Sequence, residues 1–211
     1  MKKILVLALL LSVAFGCRTK NTKKDESVAV EKQEIAKNEN TATQEPKEVE
    51  INWMSFEEAI TAQKKEPKKI MMDAYTKWCG PCKLLDRKTF HNPDLVAYVN
   101  EHYYAVKFNA EGDETITFKG NTFTNPGYDP TKATRRNASH QLSGYFRINA
   151  YPTILFLDEN AEVLTPIKGY YTPAQLEIYL KLFAQDDFKK IKTAEEWQTY
   201  QDNFINTFKE I

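Results

Sequence analysis

The sequence is poor in the residues that most often announce a function. Of its 211 residues only three are cysteine and three are histidine. A zinc site built on one cysteine pair needs two further ligands, and no second pair exists. His91, His102 and His140 stand at no metal-ligand spacing from one another, so no metal and no other cofactor is expected. Excess charge is missing too. With 29 basic residues against 29 acidic ones, the chain has no net field to gather nucleic acid, which is excluded as a partner. Its longest apolar run falls short of the roughly 20 residues that a membrane-spanning helix needs.

That run lies at the start. Met1-Lys2-Lys3 followed by Ile4 to Phe15 has the basic and apolar regions of a secretory signal, read here as residues 1–16. It ends in Ala14-Phe15-Gly16-Cys17, which resembles a bacterial lipobox, whose cysteine is lipid-modified after cleavage. Cys17 is therefore the expected lipidation site and anchors the chain to a bacterial membrane. An ordinary signal beside an incidental cysteine is the competing reading. Either way export is expected, to the periplasmic side of a membrane or to the cell surface. Those compartments are oxidising, so a dithiol persists there only with a dedicated electron source.

Residues 17–50 are expected to form a tether. Lys, Glu, Asn, Thr and Gln dominate from Arg18 onward, with no aromatic residue and no sustained apolar period. Such a stretch cannot bury enough surface to offset its ordering entropy. As a coil it would hold the following domain roughly 30 Å from its anchor.

Order is expected from 51 to 211. Ile51 to Met54 reads as a short strand, and Ser55-Phe56-Glu57-Glu58 as a capping box opening a helix to about Lys65, stopped by Pro67. Ile70 to Tyr75, Tyr103 to Asn109 and Thr153 to Leu157 have the length and composition of strands; Glu162 to Lys168 follows the last as a hairpin partner. Asn92-Pro93-Asp94 and Thr172-Pro173-Ala174-Gln175 start two further helices. At the end, Thr193-Ala194-Glu195-Glu196 caps a helix over about 193–210, on which Trp197, Tyr200, Phe204, Phe208 and Ile211 form one stripe. That stripe suits a helix docked on its own domain or one that binds a partner. Strands alternating with helices and closing in a hairpin indicate an α/β fold with a mixed sheet.

The chemistry concentrates at Trp78-Cys79-Gly80-Pro81-Cys82. A strand precedes this stretch and helix-forming residues follow it, so Cys79 sits near a helix N-terminus. Unpaired N–H groups and the helix dipole favour a thiolate there. A thiol with a pKa of about 8.5 is only about 3% ionised at pH 7, and a value near 7 makes it half ionised. Three residues on, Cys82 can reach back, displace a partner from Cys79 and close an intramolecular disulfide. A purely structural bridge is disfavoured, since so short a loop yields only about 2 kcal/mol. Two inert core cysteines fit poorly with a Gly-Pro turn between them.

From about Trp53 to Ala184 the chain resembles the thioredoxin family. The matches are Trp78 to Cys82 in full, Asp73 six residues before Cys79, Lys107-Phe108-Asn109 at a strand end, Tyr151-Pro152-Thr153, and the later Gly169. The leader and Phe90-His91-Asn92-Pro93 look like exported, membrane-tethered members and like the periplasmic thioredoxin-like domain of transmembrane disulfide reductases. The resemblance implies a thioredoxin fold, a central mixed sheet flanked by helices, with an added C-terminal helix. It also implies roles. Cys79 attacks a substrate disulfide and Cys82 resolves the mixed disulfide. Asp73, buried behind Cys82, has a raised pKa and takes its proton, tuned by Lys107. Trp78, Gly80, Pro81, Tyr151, Pro152 and Thr153 form the active-site loop and substrate edge, with Pro152 cis.

Two departures stand out. Tyr151 is bulkier than the residue usual there. An insertion of about 30 residues, Glu111 to His140, precedes the Pro152 loop and contains a possible hairpin (Thr115 to Phe118, Asn121 to Thr124). It selects partners or covers the site, or it is a surface loop. The function expected is a monomeric thiol–disulfide oxidoreductase that reduces protein disulfides in the cell envelope, supplied by a membrane electron donor of the transmembrane disulfide reductase type. Gly-Pro between the cysteines favours reduction over oxidation or isomerisation. A binding or chaperone module with little turnover is the alternative from another class.

Overall fold

The computed structural model describes residues 50–209. The expected leader, Cys17 and nearly all of the expected tether lie outside them. Within them the chain runs β1 (Trp53–Met54), α1 (Phe56–Gln63), β2 (Lys69–Tyr75), α2 (Gly80–Lys88), α3 (Pro93–His102), β3 (Tyr103–Asn109), β4 (Ile116–Phe118), β5 (Asn121–Phe123), α4 (Gln141–Tyr145), β6 (Thr153–Leu157), β7 (Val163–Lys168), α5 (Pro173–Ala184) and α6 (Ala194–Asn203). Five strands form one mixed sheet in the order β1-β3-β2-β6-β7. The pairs β1–β3 and β2–β3 are parallel; β2–β6 and β6–β7 are antiparallel.

β2 is the centre of this sheet and is buried along its length up to Tyr75. Side chains alternate across a strand, and the sheet separates two apolar clusters accordingly. Met71 points to one side, among Leu85 of α2, Leu95 and Val99 of α3, and Leu176 and Phe183 of α5. Ile70, Met72 and Ala74 point to the other, among Phe56 and Ala59 of α1, Phe118 of β4 and Leu142 of α4. Full burial of one such side chain is worth about 1.5–3 kcal/mol, so a one-residue slip of β2 would forfeit both clusters. Asp73 lies on the Met71 side by the same alternation. Its register partner on β3 is Lys107.

Local signals place the helix starts. Ser55, Thr172 and Thr193 each form a complete capping box, and Asn92 accepts the N–H of Leu95 with Pro93 in the first turn. Each cap contributes about 1 kcal/mol. The first strand is shorter than expected, beginning at Trp53, because Ile51 turns into the core instead. α4 spans five residues, too few for an apolar period to reveal.

Two expectations are corrected. The insertion is no mere surface loop. Its hairpin β4–β5 puts Ile116 and Phe118 into the core, where Phe118 meets Phe56 at 4.9 Å and tilts against Phe146 at 6.0 Å. The C-terminal stripe is not one helix over 193–210: α6 ends at Asn203, and Phe204 is already extended. A buried carboxylate takes over. Glu177 of α5, fully buried, accepts the N–H groups of Thr207 (2.8 Å) and Phe208 (3.0 Å) and the ammonium of Lys181. Phe208 thereby enters the core by an extended path. Trp197 and Tyr200 pack partly buried against the same cluster, so α6 is docked on its own domain. Ile211 lies outside the described residues.

Burial alone would raise the Glu177 carboxyl, but Lys181, Thr207 and Phe208 together hold it below the usual carboxylate value. A depressed carboxyl stabilises the fold above its unfolded pKa, about 4.3, and loses that contribution as pH falls through the folded value. Glu177→Gln is expected to cost about 2 kcal/mol at pH 7 and less at pH 3, below the unfolded pKa. Urea denaturation at the two pH values checks this; an equal loss at both would contradict it.

Candidate active site

The site grows from the C-terminal end of β2. After Tyr75 the chain turns through Thr76, whose carbonyl accepts the Cys79 N–H at 3.2 Å, and enters α2. Cys79 is the N-cap of α2, and its Sγ accepts the N–H of Cys82 at 3.1 Å. Pro81 fits the first turn because that turn's N–H groups have no helical acceptor to lose. The two cysteines are joined in a disulfide with Cα atoms 5.3 Å apart. They are 2% and 4% exposed, so a reacting partner must come in close over the turn. A Cβ at Gly80 would meet nothing within 4 Å; its glycine leaves the approach clear and is not demanded by packing. Once the disulfide is reduced, the N–H and helix dipole that now face Cys79 Sγ would favour its thiolate.

Behind Cys82 a cavity of about 350 Å³ is shared with Asp73 and Lys107. Asp73 is 1% exposed. Lys107 Nζ stands 3.0 Å from its Oδ2, within ion-pair range, yet neither carboxylate oxygen receives a well-aligned hydrogen bond. Burial therefore dominates and pushes the Asp73 carboxyl above the usual range; Lys107 opposes this and nearby Asp86 adds to it. Lys107 makes its short hydrogen bond elsewhere, to Asp86 Oδ1 at 2.6 Å. Its ammonium also lies over the rings of Trp53 (4.6 Å) and Phe90 (5.1 Å). Burial lowers the Lys107 pKa, but Asp73 and Asp86 more than compensate and leave it raised. So the cavity holds a fixed cation, an acid that readily keeps a proton, and the inner cysteine. That combination can pass a proton to and from Cys82 through solvent in the cavity.

The front of the site is built around Trp78. Its indole Nε1–H donates to Glu111 Oε2 at 2.7 Å, and the same oxygen accepts the Asn137 N–H at 2.9 Å. The Arg136 guanidinium lies 4.6 Å from the indole ring centre, and the Tyr151 ring meets the indole edge-on at 6.1 Å. Tyr151–Pro152 is a cis peptide. The Pro152 carbonyl accepts the N–H of Gly169 at 2.8 Å, and Thr153 donates its hydroxyl to Ala150 at 2.8 Å. Gly169 has φ +101°, a conformation that only glycine adopts without strain.

The structure thus brings Cys82, Asp73 and Lys107 to one cavity and sets Trp78 and Tyr151 together beside Cys79, with Pro152 next to Tyr151 and Thr153 paired with Ala74 of β2; Cys17 lies outside the described residues. It also adds residues that sequence reasoning missed. Asp86 follows Cys82 by four residues on α2, so helical spacing could have placed both on one face. Glu111, Arg136 and Asn137 carried no comparable signal, because they reach Trp78 only through the folded path of the insertion. The histidines stay apart. His91 meets the carbonyl of Asp86, His102 ends α3, and His140 caps α4.

Residues 56–184 match the family model of the thioredoxin-like domain. The chain belongs to the thioredoxin-like family. Its cysteine pair places this thioredoxin-like domain among the thiol–disulfide oxidoreductases. Among known proteins it is similar to the thiol:disulfide interchange protein DsbD of Haemophilus ducreyi, 28% identical over 127 residues. That match covers 59% of this chain and 18% of DsbD, so the chain spans under a fifth of that relative. Among solved structures it is similar to a thioredoxin from Thermus thermophilus (14% identity, 64% of this chain and 87% of that one, TM-score 0.47). A thioredoxin-fold protein from Helicobacter pylori is comparable (16% identity, 64% and 81%, TM-score 0.46).

The raised Asp73 carboxyl carries a stability consequence. An acid whose folded pKa exceeds its unfolded value, about 3.9, weakens the fold once pH rises past that value. Asp73→Asn is therefore expected to raise the melting temperature more at pH 8 than at pH 3, below the unfolded pKa, since Lys107 keeps Asp86 as a partner. Thermal denaturation of the oxidised protein tests it. No gain at pH 8 would mean that Asp73 is not held as a buried, reluctantly ionised acid.

Proposed function

We propose that this thioredoxin-like protein reduces protein disulfides in the cell envelope. The observation that carries the reading is the buried Asp73 sharing a cavity with Cys82, directly behind a Cys79 sulfur that already receives a helix N–H. The Cys79 thiolate attacks one sulfur of the substrate disulfide and expels the other as a thiolate, which takes a proton from solvent. Asp73 then accepts the Cys82 proton, and the Cys82 thiolate attacks Cys79 Sγ. This closes the Cys79–Cys82 disulfide and expels the second substrate sulfur as a thiolate, which takes up the proton that Asp73 gives back. Two electrons have passed to the substrate, and two must return. A membrane electron donor of the transmembrane disulfide reductase type returns them.

The setting follows from the leader and the compartment chemistry. Residues 1–16 act as a signal, Cys17 carries the lipid, and residues up to about 50 serve as the tether. The anchored domain faces the periplasm or the cell surface. The role of Lys107 is to hold a positive charge over the cavity and limit how far burial raises Asp73. Trp78, Gly80, Pro81, Tyr151, Pro152 and Thr153 make the edge on which the substrate lies beside Cys79.

Insulin-disulfide reduction is expected for the wild type, none for Cys79→Ser, and a trapped mixed disulfide for Cys82→Ala. Equilibration with glutathione is expected to give a potential nearer about −270 than −120 mV; a value at the oxidising end would make the protein an oxidant. In cells, Cys17→Ser is expected to abolish incorporation of labelled fatty acid and to release the protein from the membrane. Unchanged labelling would remove the anchor from this account.

A further inference from the structure

We propose that Arg136 is a substrate-recognition residue, whose guanidinium on the Trp78 ring receives a carboxylate carried beside the disulfide of an acidic protein substrate. The inference rests on the reductase reading above and names the class of substrate that the site prefers.

Three observations combine. The first is position. Trp78 directly precedes Cys79, and Arg136 covers its ring at 4.6 Å, so the guanidinium stands at the lip of the reactive turn. The second is that Arg136 is exposed, and among the described residues no carboxylate lies within ion-pair distance of it. A guanidinium resting on an aromatic face keeps its N–H groups for an incoming acceptor, and a carboxylate matches them two at a time. The third is preorganisation. Asn137, the next residue, gives its N–H to Glu111, accepts the Asp129 N–H at 2.9 Å and donates to the Asp129 carbonyl at 2.8 Å. The Ala138 carbonyl is held by Asn125 at 2.8 Å. The backbone carrying Arg136 is thus ordered before any substrate arrives, which removes a cost that a mobile loop would incur on binding.

The surrounding charge agrees in sign. Lys77 and Lys83 are exposed beside Trp78 and Cys82, without carboxylate partners among the described residues. Of the acids near the turn, Asp73 is buried and Asp86 holds Lys107, whereas Glu111 meets only the neutral N–H groups of Trp78 and Asn137 and keeps its charge, and the exposed Glu114 acts on Tyr75. Around Gly80 an approaching carboxylate therefore finds three exposed cations without a carboxylate partner among the described residues, Lys77, Lys83 and Arg136, of which Arg136 is the one seated on the indole. The insertion supplies both Arg136 and the Glu111 that seats Trp78, which gives the segment a task at the site.

The test uses the reduced full chain and three disulfide peptides that differ only in the residue flanking the target cysteine: Glu, Ala or Lys. Rates of disulfide reduction are followed by stopped-flow fluorescence. The wild type is expected to reduce the Glu peptide about fivefold faster than the Ala peptide, corresponding to one solvent-exposed ion pair. The Lys peptide should be slower still, and added salt should shrink the spread. In Arg136→Ala the Glu-to-Ala ratio should fall to near one, through the peptide concentration at half-maximal rate and not the limiting single-turnover rate. Arg136→Lys should restore part of it, and Arg135→Ala should leave it intact. Equal rates for all three peptides in the wild type would overturn the proposal while leaving the reductase reading standing. So would an Arg136→Ala variant that slows every peptide alike, because Arg136 would then only hold Trp78 in place. If the wild type reduces none of the peptides and no insulin, the reductase reading has failed and this proposal fails with it.

Discussion

Everything at the site depends on one constraint: β2 is buried on both faces, and its side chains must alternate between two apolar clusters. Met71 goes to the α2, α3 and α5 side, while Ile70, Met72 and Ala74 go to the other. Asp73 shares the parity of Met71, so it is carried to the α2 side with no freedom to turn toward solvent. The strand that fills the core is thus also the strand that buries an acid behind Cys82. Parallel pairing in register then sets Lys107 opposite Asp73. The facing of acid and cation in the cavity follows from strand geometry, and α2 adds Asp86.

Lys107 is shared unequally between two acids. Its short hydrogen bond goes to the half-exposed Asp86 and its longer ion pair to the buried Asp73. Had the ammonium hydrogen-bonded fully to Asp73, that carboxylate would be stabilised as an anion and would be a poor proton acceptor. Division of the lysine leaves burial as the dominant influence on Asp73. At the front of the site, Glu111 does similar service through one oxygen, which joins the indole of Trp78 to the backbone of the insertion. A segment that looks like an addition to the fold is in this way both part of its core, through Ile116 and Phe118, and part of its reactive face.

Much of this could be read along the chain. Capping residues announced α1, α3, α5 and α6, because a cap is satisfied within four residues of itself. The strands β2, β3 and β6 were legible from short apolar runs. The C-terminal stripe misled because Phe204 and Phe208 do keep helical spacing. The N–H groups of Thr207 and Phe208 were captured by Glu177, about thirty residues away, and a distant buried carboxylate outbid the local period. Asp86 lay within reach of helical spacing from Cys82, whereas Glu111 and Arg136 did not.

By itself, then, the sequence determined the reactive turn, the positions of the helix starts and the strand that delivers Asp73. Each is governed by neighbours a few residues apart, through N–H groups, dihedral preferences and the period of two. Only the tertiary structure decided which groups surround the cysteines: Lys107 divided between two acids, Glu111 on the indole, Arg136 on its face. Those contacts join residues tens of positions apart, and their geometry follows from how two clusters pack against one sheet, which no local pattern encodes.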